Sequence, residues 1–158
     1  MRKYLYRVLI LCVFGAGYPL VGFAANADIE TLIKQGSEHA RAGNVDAAYE
    51  SYKQALALDP QSADARLKVA GMQVVRGDYR DSIENFQNVI GSQPNNANAF
   101  AGMGIAYLHL GGYGLARASF EEALKHDEKK KGDIQHMLDW LDAKMMSSTG
   151  GHNNPTVD

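Results

Sequence analysis

The chain is 158 residues long, 46% of them apolar, with 16 Lys+Arg against 18 Asp+Glu. That length suits one domain with an appendage, and the near-balance of charge excludes a basic footprint for nucleic acid. Eight Tyr, five Phe and one Trp exclude wholesale disorder, and a single cysteine, Cys12, excludes a disulfide framework or a multi-cysteine metal site.

The segment 1–27 stands apart. Arg2, Lys3 and Arg7 precede an apolar run from Val8 to about Leu20, and no Asp or Glu occurs before Asp28. Ala25-Asn26-Ala27 then offers a cleavage site before Asp28, with Gly22-Phe23-Ala24 as a second, before Ala25. A basic start, an apolar middle and small residues at the cut are what export machinery reads in a secretory signal peptide, so 1–27 is expected to be removed. The alternative is a retained anchor, but a span needs roughly 20 apolar residues, and Gly15, Gly17, Pro19 and Gly22 interrupt this run. A lipoprotein site at Cys12 fits less well, because Leu11 precedes it and it lies inside the run. The expected location is the bacterial periplasm or the exterior; the alternative is an inner-membrane anchor with the rest facing the periplasm. Membrane contact is expected through this segment only. Residues 28–158 keep 13 Lys+Arg against 18 Asp+Glu, a formal charge of −5 and no cysteine, which favours solubility and disfavours phosphate backbones.

Self-similarity organises the chain from residue 29 to residue 130. Gly43, Gly77 and Gly111 stand at i, i+34 and i+68, and Pro60 and Pro94 are separated by the same interval. That interval also relates Gly36, Ala70 and Gly104; Ala48, Ser82 and Ala116; Tyr52, Phe86 and Phe120; and Ala55, Val89 and Ala123. Each register has a physical reading. The first two small sets allow two helices to cross closely. The glycines end a first helix in the left-handed conformation, with Asn44 and Asp78 expected to cap the second. The aromatic set supplies apolar area for a neighbouring unit to cover, and the prolines stop the second helix.

Apolar residues recur at three- and four-residue intervals, for instance Leu67, Val69, Ala70, Val74 and Val75, then Phe100, Met103, Gly104, Tyr107 and Leu108. Helices are expected at about 29–42, 45–58, 63–76, 79–91, 97–110, 113–126 and 132–146, with no strand. In the last, Ile134, Met137, Leu138, Leu141 and Met145 form an apolar stripe, with Trp140 at its edge. Such a helix covers the open end of a stack. From Ser147 to Asp158, Gly150, Gly151, Asn153, Asn154 and Pro155 read as a disordered tail.

The period and its small and aromatic positions resemble the tetratricopeptide repeat family. The resemblance covers 29–62, 63–96 and 97–130, and it implies an all-α solenoid of helical hairpins, three repeats plus the capping helix 131–146. Departures are local. Leu32 and Arg66 stand where an aromatic is usual and only Phe100 conforms; Glu128 replaces the third proline; Gly112 and Gly114 weaken the start of the sixth helix, so that turn is expected to be the loosest.

Chemistry is sparse. His39, His109, His126, His136 and His152 form no pair three or four residues apart, so no metal site is expected. No nucleophile motif or phosphate-binding glycine loop occurs, and Glu121-Glu122 and Asp127-Glu128 read as solvated helix surface. The expectation is a non-enzymatic protein without cofactor. The resemblance implies instead a concave groove lined by the first helix of each repeat. Carried over residue by residue, its partner-binding positions are Ile33 and Ser37, then Leu67, Gly71 and Val74, then Ala101, Ile105, Leu108 and His109, with Glu30, Arg41, Asp64, Val75 and Asn98 at the same family positions. The family's clamp for chaperone carboxylate tails needs Lys and Asn where this chain has Ile33 and Ser37, so an apolar protein or peptide segment is the expected partner, in an envelope, pilus, secretion or cytochrome-maturation assembly. Self-association into a homo-oligomeric scaffold is the alternative.

Overall fold

The computed structural model describes the backbone of residues 20–149 and the side chains of 28–147. Among these, α1 spans Leu20–Arg41, α2 Val45–Leu58, α3 Ala63–Arg76, α4 Tyr79–Ser92, α5 Ala97–His109, α6 Tyr113–His126 and α7 Lys131–Thr149, with a 3-10 turn at Glu128–Lys130. The described residues form no strand. Each helix packs on the next, and α3 also touches α5, which is the neighbour-to-neighbour packing of a repeat array. No described helix is long and apolar enough to cross a membrane.

Two boundaries differ from the sequence expectation by more than one residue. Helix α1 begins at Leu20 rather than near 29 and runs through both expected cleavage positions. Between Pro19 and Asp28 only Gly22 opposes a helix, while Ala24, Ala25 and Ala27 favour it. Helix α7 continues to Thr149, past Ser147 and into the segment read as tail. The basic start, most of the apolar run and the tail from Gly150 lie outside the described residues.

The three repeat turns are built alike. Gly43, Gly77 and Gly111 have φ of 77°, 86° and 74°, a region an L side chain enters only at a cost. In each turn the glycine N–H and the following N–H reach back to helix carbonyls: Gly43 to Ala40 and Asn44 to His39, Gly77 to Val74 and Asp78 to Gln73, Gly111 to Leu108 and Gly112 to Tyr107. These are Schellman closures, and they satisfy the carbonyls that a helix end leaves orphaned. The third turn, with its extra glycines, closes by the same bonds as the others. Asn44 and Asp78 do start α2 and α4, but neither side chain makes a capping hydrogen bond. Asp78 instead accepts from Arg76 Nε at 3.1 Å. Side-chain caps occur at the other junctions, where Ser62 Oγ accepts from the Ala65 N–H and Asn96 Oδ1 from the Ala99 N–H. Ser62 and Asn96 are themselves one repeat apart. Without a proline, α6 still ends at His126, and Asp127 caps the 3-10 turn through the Lys129 N–H.

The core is three linked clusters set by the aromatic register. Tyr52 packs with Ala48 and with Val69 of the next repeat; Phe86 packs with Ala70, Val89 and Ala99; Phe120 packs with Ala116, Ala123 and the α7 residues Ile134, Leu138 and Leu141. The rings are therefore covered from both sides, and not by the neighbouring repeat alone. A methyl group at Gly36 would lie 2.5 Å from the Tyr52 ring, and one at Gly104 2.7 Å from the Phe120 ring. Gly102, on the opposite side of α5, meets Phe86 in the same way. Glycine at these three places lets an aromatic ring rest on helix backbone. Trp140 is 50% exposed and meets the Tyr113 ring edge-on at 5.8 Å, which is packing at the margin of the cap stripe.

Two arginines stitch units together. Arg76 pairs with Asp46 and Asp78 and lies over the Tyr49 ring, joining repeats one and two. Arg117 pairs with Glu121 at 2.6 Å and with Asp142 of α7 at 2.7 Å, joining repeat three to its cap. Chiefly through its hydrogen bond, Asp142 holds the Arg117 guanidinium proton more firmly than usual, and Glu121 adds to this. These four ion pairs are open to solvent, so they orient the units more than they stabilise them.

Candidate partner-binding groove

The groove positions fall on α1, α3 and α5, and their spacing puts each set on one helix face. On α3, Leu67 and Val74 are half-buried against the cluster of Ala70, Phe86, Val89 and Ala99. On α5, Ala101, Ile105 and Leu108 are half-buried against the Phe120 cluster. Because α3 packs directly on α5, these residues form two adjoining apolar strips, each half in the core and half open. Each therefore packs between helices and still shows apolar area to solvent.

The remaining positions behave differently. Ile33 is half-buried beside Tyr52 on α1. Ser37 is turned inward: its hydroxyl donates to the Ile33 carbonyl at 2.8 Å and shares a 3.1 Å hydrogen bond with the Tyr52 hydroxyl. Gly71 lies between Leu67 and Val74 with its Cβ direction open, no atom standing within 4 Å. His109 is exposed but stacks flat on Tyr79 of α4, with ring centroids 4.6 Å apart and planes 4° from parallel. Leu67, Gly71 and Val74 thus share a face of α3, Ala101, Ile105 and Leu108 lie on the α5 that packs against it, Ile33 and Ser37 lie on α1, and His109 is engaged by the Tyr79 ring. Val75, at a neighbouring family position, is 60% exposed.

A second apolar hollow was not foreseen from the sequence. Ile90 of α4, Phe100, Met103 and Tyr107 of α5, and Leu115 and Ala118 of α6 line an open cleft of about 390 Å³. Leu115 on its rim is 56% exposed. At one end Glu122 holds Lys125, whose hydrogen bond keeps that carboxyl below the usual range, and His126 stacks on Phe100 at 5.5 Å. The signal was present in Phe100, Met103 and Tyr107, which recur at helical spacing, but periodicity alone does not tell a covered stripe from an open one. Among the described residues, no group of three or more His, Cys, Asp or Glu is placed to hold a metal.

A family model described as tetratricopeptide repeat matches residues 33–75 and 73–133. Among solved structures, the first tetratricopeptide repeat domain of Spaghetti (RPAP3), bound to the HSP90 peptide SRMEEVD, superposes with a TM-score of 0.71 at 14% identity, over 76% of this chain and 94% of that one. The Sgt2 domain from Aspergillus fumigatus gives 0.73 at 18% identity, over 82% of this chain and 87% of that one. The second such domain of human RPAP3, in complex with the HSP70 peptide SGPTIEEVD, gives 0.68 at 20% identity, over 75% of this chain and 98% of that one. At these identities the likeness is one of fold.

Proposed function

The chain belongs to the tetratricopeptide repeat family, and from that premise we propose that it is a non-enzymatic, exported scaffold that holds a segment of a partner protein against α3 and α5. The observation that carries this reading is the adjoining half-open apolar strips of Leu67 and Val74 and of Ala101, Ile105 and Leu108. Exposed apolar surface on a soluble domain commonly marks an interaction site, and such strips accept an apolar helix or extended segment. The fold belongs to interaction modules, and no catalytic family accompanies it.

The peptides named for the two RPAP3 domains both end in EEVD. Here Ile33 offers no charge and Ser37 spends its hydroxyl on Tyr52, so an acidic tail finds no counter-charge at those positions. An apolar partner segment suits them better. The envelope, pilus, secretion and cytochrome-maturation assemblies remain the settings in which an exported scaffold of this kind would serve. End-to-end self-association gains less support, because Lys34, Gln35 and Glu38 of α1 are exposed and polar.

Leu67→Glu and Ile105→Glu are each expected to abolish partner capture while leaving helix content intact. Crosslinking and mass spectrometry in the native organism identify the partner, and circular dichroism reads the helix content. If both variants retain the parent's partners, the groove reading fails. For export, N-terminal sequencing of protein from the periplasmic fraction is expected to start at Asp28 or Ala25; full-length chain recovered from the membrane would establish the anchor instead.

A further inference from the structure

We propose that the cleft between the start of α3 and the end of α4 binds a small organic anion and takes its carboxylate or phosphate group on Arg66. The site lies apart from the groove, since none of the groove positions lines it.

Arg66 departs from its surroundings in two ways. In the repeat register it stands where Leu32 and Phe100 stand, so a side chain that is apolar in those units is here a half-buried cation. Its partners also differ from those of the arginines that tie helices together. Arg76 and Arg117 each take two carboxylates. Arg66 instead donates from Nη2 to the Pro60 carbonyl at 2.6 Å and from Nη1 to Asn85 Oδ1 at 3.3 Å. Both acceptors are uncharged. Residues 28–158 hold 18 Asp+Glu against 13 Lys+Arg, yet among the described residues no carboxylate pairs with Arg66. Asp59, close by in sequence, accepts the Gln61 N–H at 2.9 Å instead.

The guanidinium is held in place. Asn85 donates onward from Nδ2 to Oε1 of the buried Gln73 at 2.9 Å and to the Asp81 carbonyl at 3.3 Å, so a hydrogen-bonded chain fixes the fork from the α3–α4 contact outward. Its Nε–H and the second N–H of each terminal nitrogen make no hydrogen bond among the described residues. Arg66 lines a cleft of about 310 Å³ with Pro60, Gln61, Ala63, Asn88 and Ser92, a size at the lower end for small-molecule sites. No carboxylate lines it. The side-chain amides of Gln61 and Asn88 add donors to the one cation. A planar fork with free N–H groups matches the paired oxygens of a carboxylate or phosphate. One repeat on, the equivalent place is closed to an anion. There Phe100 replaces Arg66, Glu122 replaces Asn88 and His126 replaces Ser92. The Phe100 ring stacks on His126, and Glu122 adds a carboxylate held by Lys125.

The test is a heteronuclear NMR titration of the full chain at neutral pH and fixed ionic strength. Sodium succinate is added in one arm, inorganic phosphate in a second, and sodium chloride alone in the reference. The Arg66 Nε–H and the Asn88 side-chain amide are expected to shift and saturate with succinate, phosphate or both, and not with chloride. Saturation by succinate alone assigns a carboxylate ligand, and by phosphate alone a phosphorylated one. Arg66→Gln is expected to weaken that binding at least tenfold. Asn88→Ala removes an exposed side chain that makes no hydrogen bond among the described residues, and is expected to weaken it about threefold at an unchanged melting temperature. It carries the test should Arg66→Gln disturb the α3–α4 contact. Shifts that never saturate, that chloride reproduces, or that both variants keep at the parent's affinity overturn the site.

Discussion

Replacing Phe120 by alanine is expected to cost about 3–5 kcal/mol of folding stability, with a fall of ~10 °C or more in melting temperature. Phe120 has no solvent exposure and lies among Ala116, Ala123, Ile134, Leu138 and Leu141. The high figure reflects what surrounds the ring. Gly104 and Ala116, which face it, carry no side chain able to move into the space, so the cavity stays open. The same ring is the seat on which α7 rests, and an array of this kind loses stability locally when one interface fails. Amide exchange in α7 should therefore accelerate more than exchange in α3, and urea denaturation gives the magnitude. A loss below about 1 kcal/mol would mean that the cap does not depend on this ring.

The second large effect is of opposite chemistry. Gly104→Ala adds one methyl group, a change that ordinarily gains about 1 kcal/mol in a helix interior. Here that methyl lies 2.7, 2.8 and 3.1 Å from three atoms of the Phe120 ring, and the ring, fully buried, has nowhere to go. Overpacking of this kind costs about 1–3 kcal/mol, so the net sign is expected to be destabilising. Two controls isolate the cause. Gly71→Ala makes the same chemical change into open space and is expected to stabilise by about 0.4–1 kcal/mol. Combining Gly104→Ala with Phe120→Leu should recover part of the loss, because contacting sites are non-additive. Equal effects of Gly104→Ala and Gly71→Ala in thermal melts would refute the steric account.

Much of the fold was legible because a repeat writes each constraint several times. Gly43, Gly77 and Gly111 state three times that a left-handed residue closes the hairpin, and the turns bear this out. The aromatic register with its small partners announced close helix crossings, and Gly36 and Gly104 lie under rings as that pattern implies. Other roles were not legible, because they depend on which of several short-range partners wins. Asp78 stands at a helix start, yet Arg76 takes its carboxylate. Ser37 sits in the groove register but faces Tyr52, and His109 stacks on the Tyr79 ring. In each case the local preference is worth about 1 kcal/mol, and a competing partner, two residues away for Asp78 and on the next or preceding helix for Ser37 and His109, is enough to redirect it.

By itself, then, the sequence determined the period, the helix type, the turn chemistry and the positions where backbone must meet an aromatic ring, because these are repeated and sterically strict. Tertiary structure alone decided which apolar residues stay half-open, that Gly71 faces empty space while Gly102 faces Phe86, and that Arg117 fastens the cap through Asp142. The physical reason is that periodicity specifies a helix face, whereas exposure on that face depends on how far the next helix reaches across it.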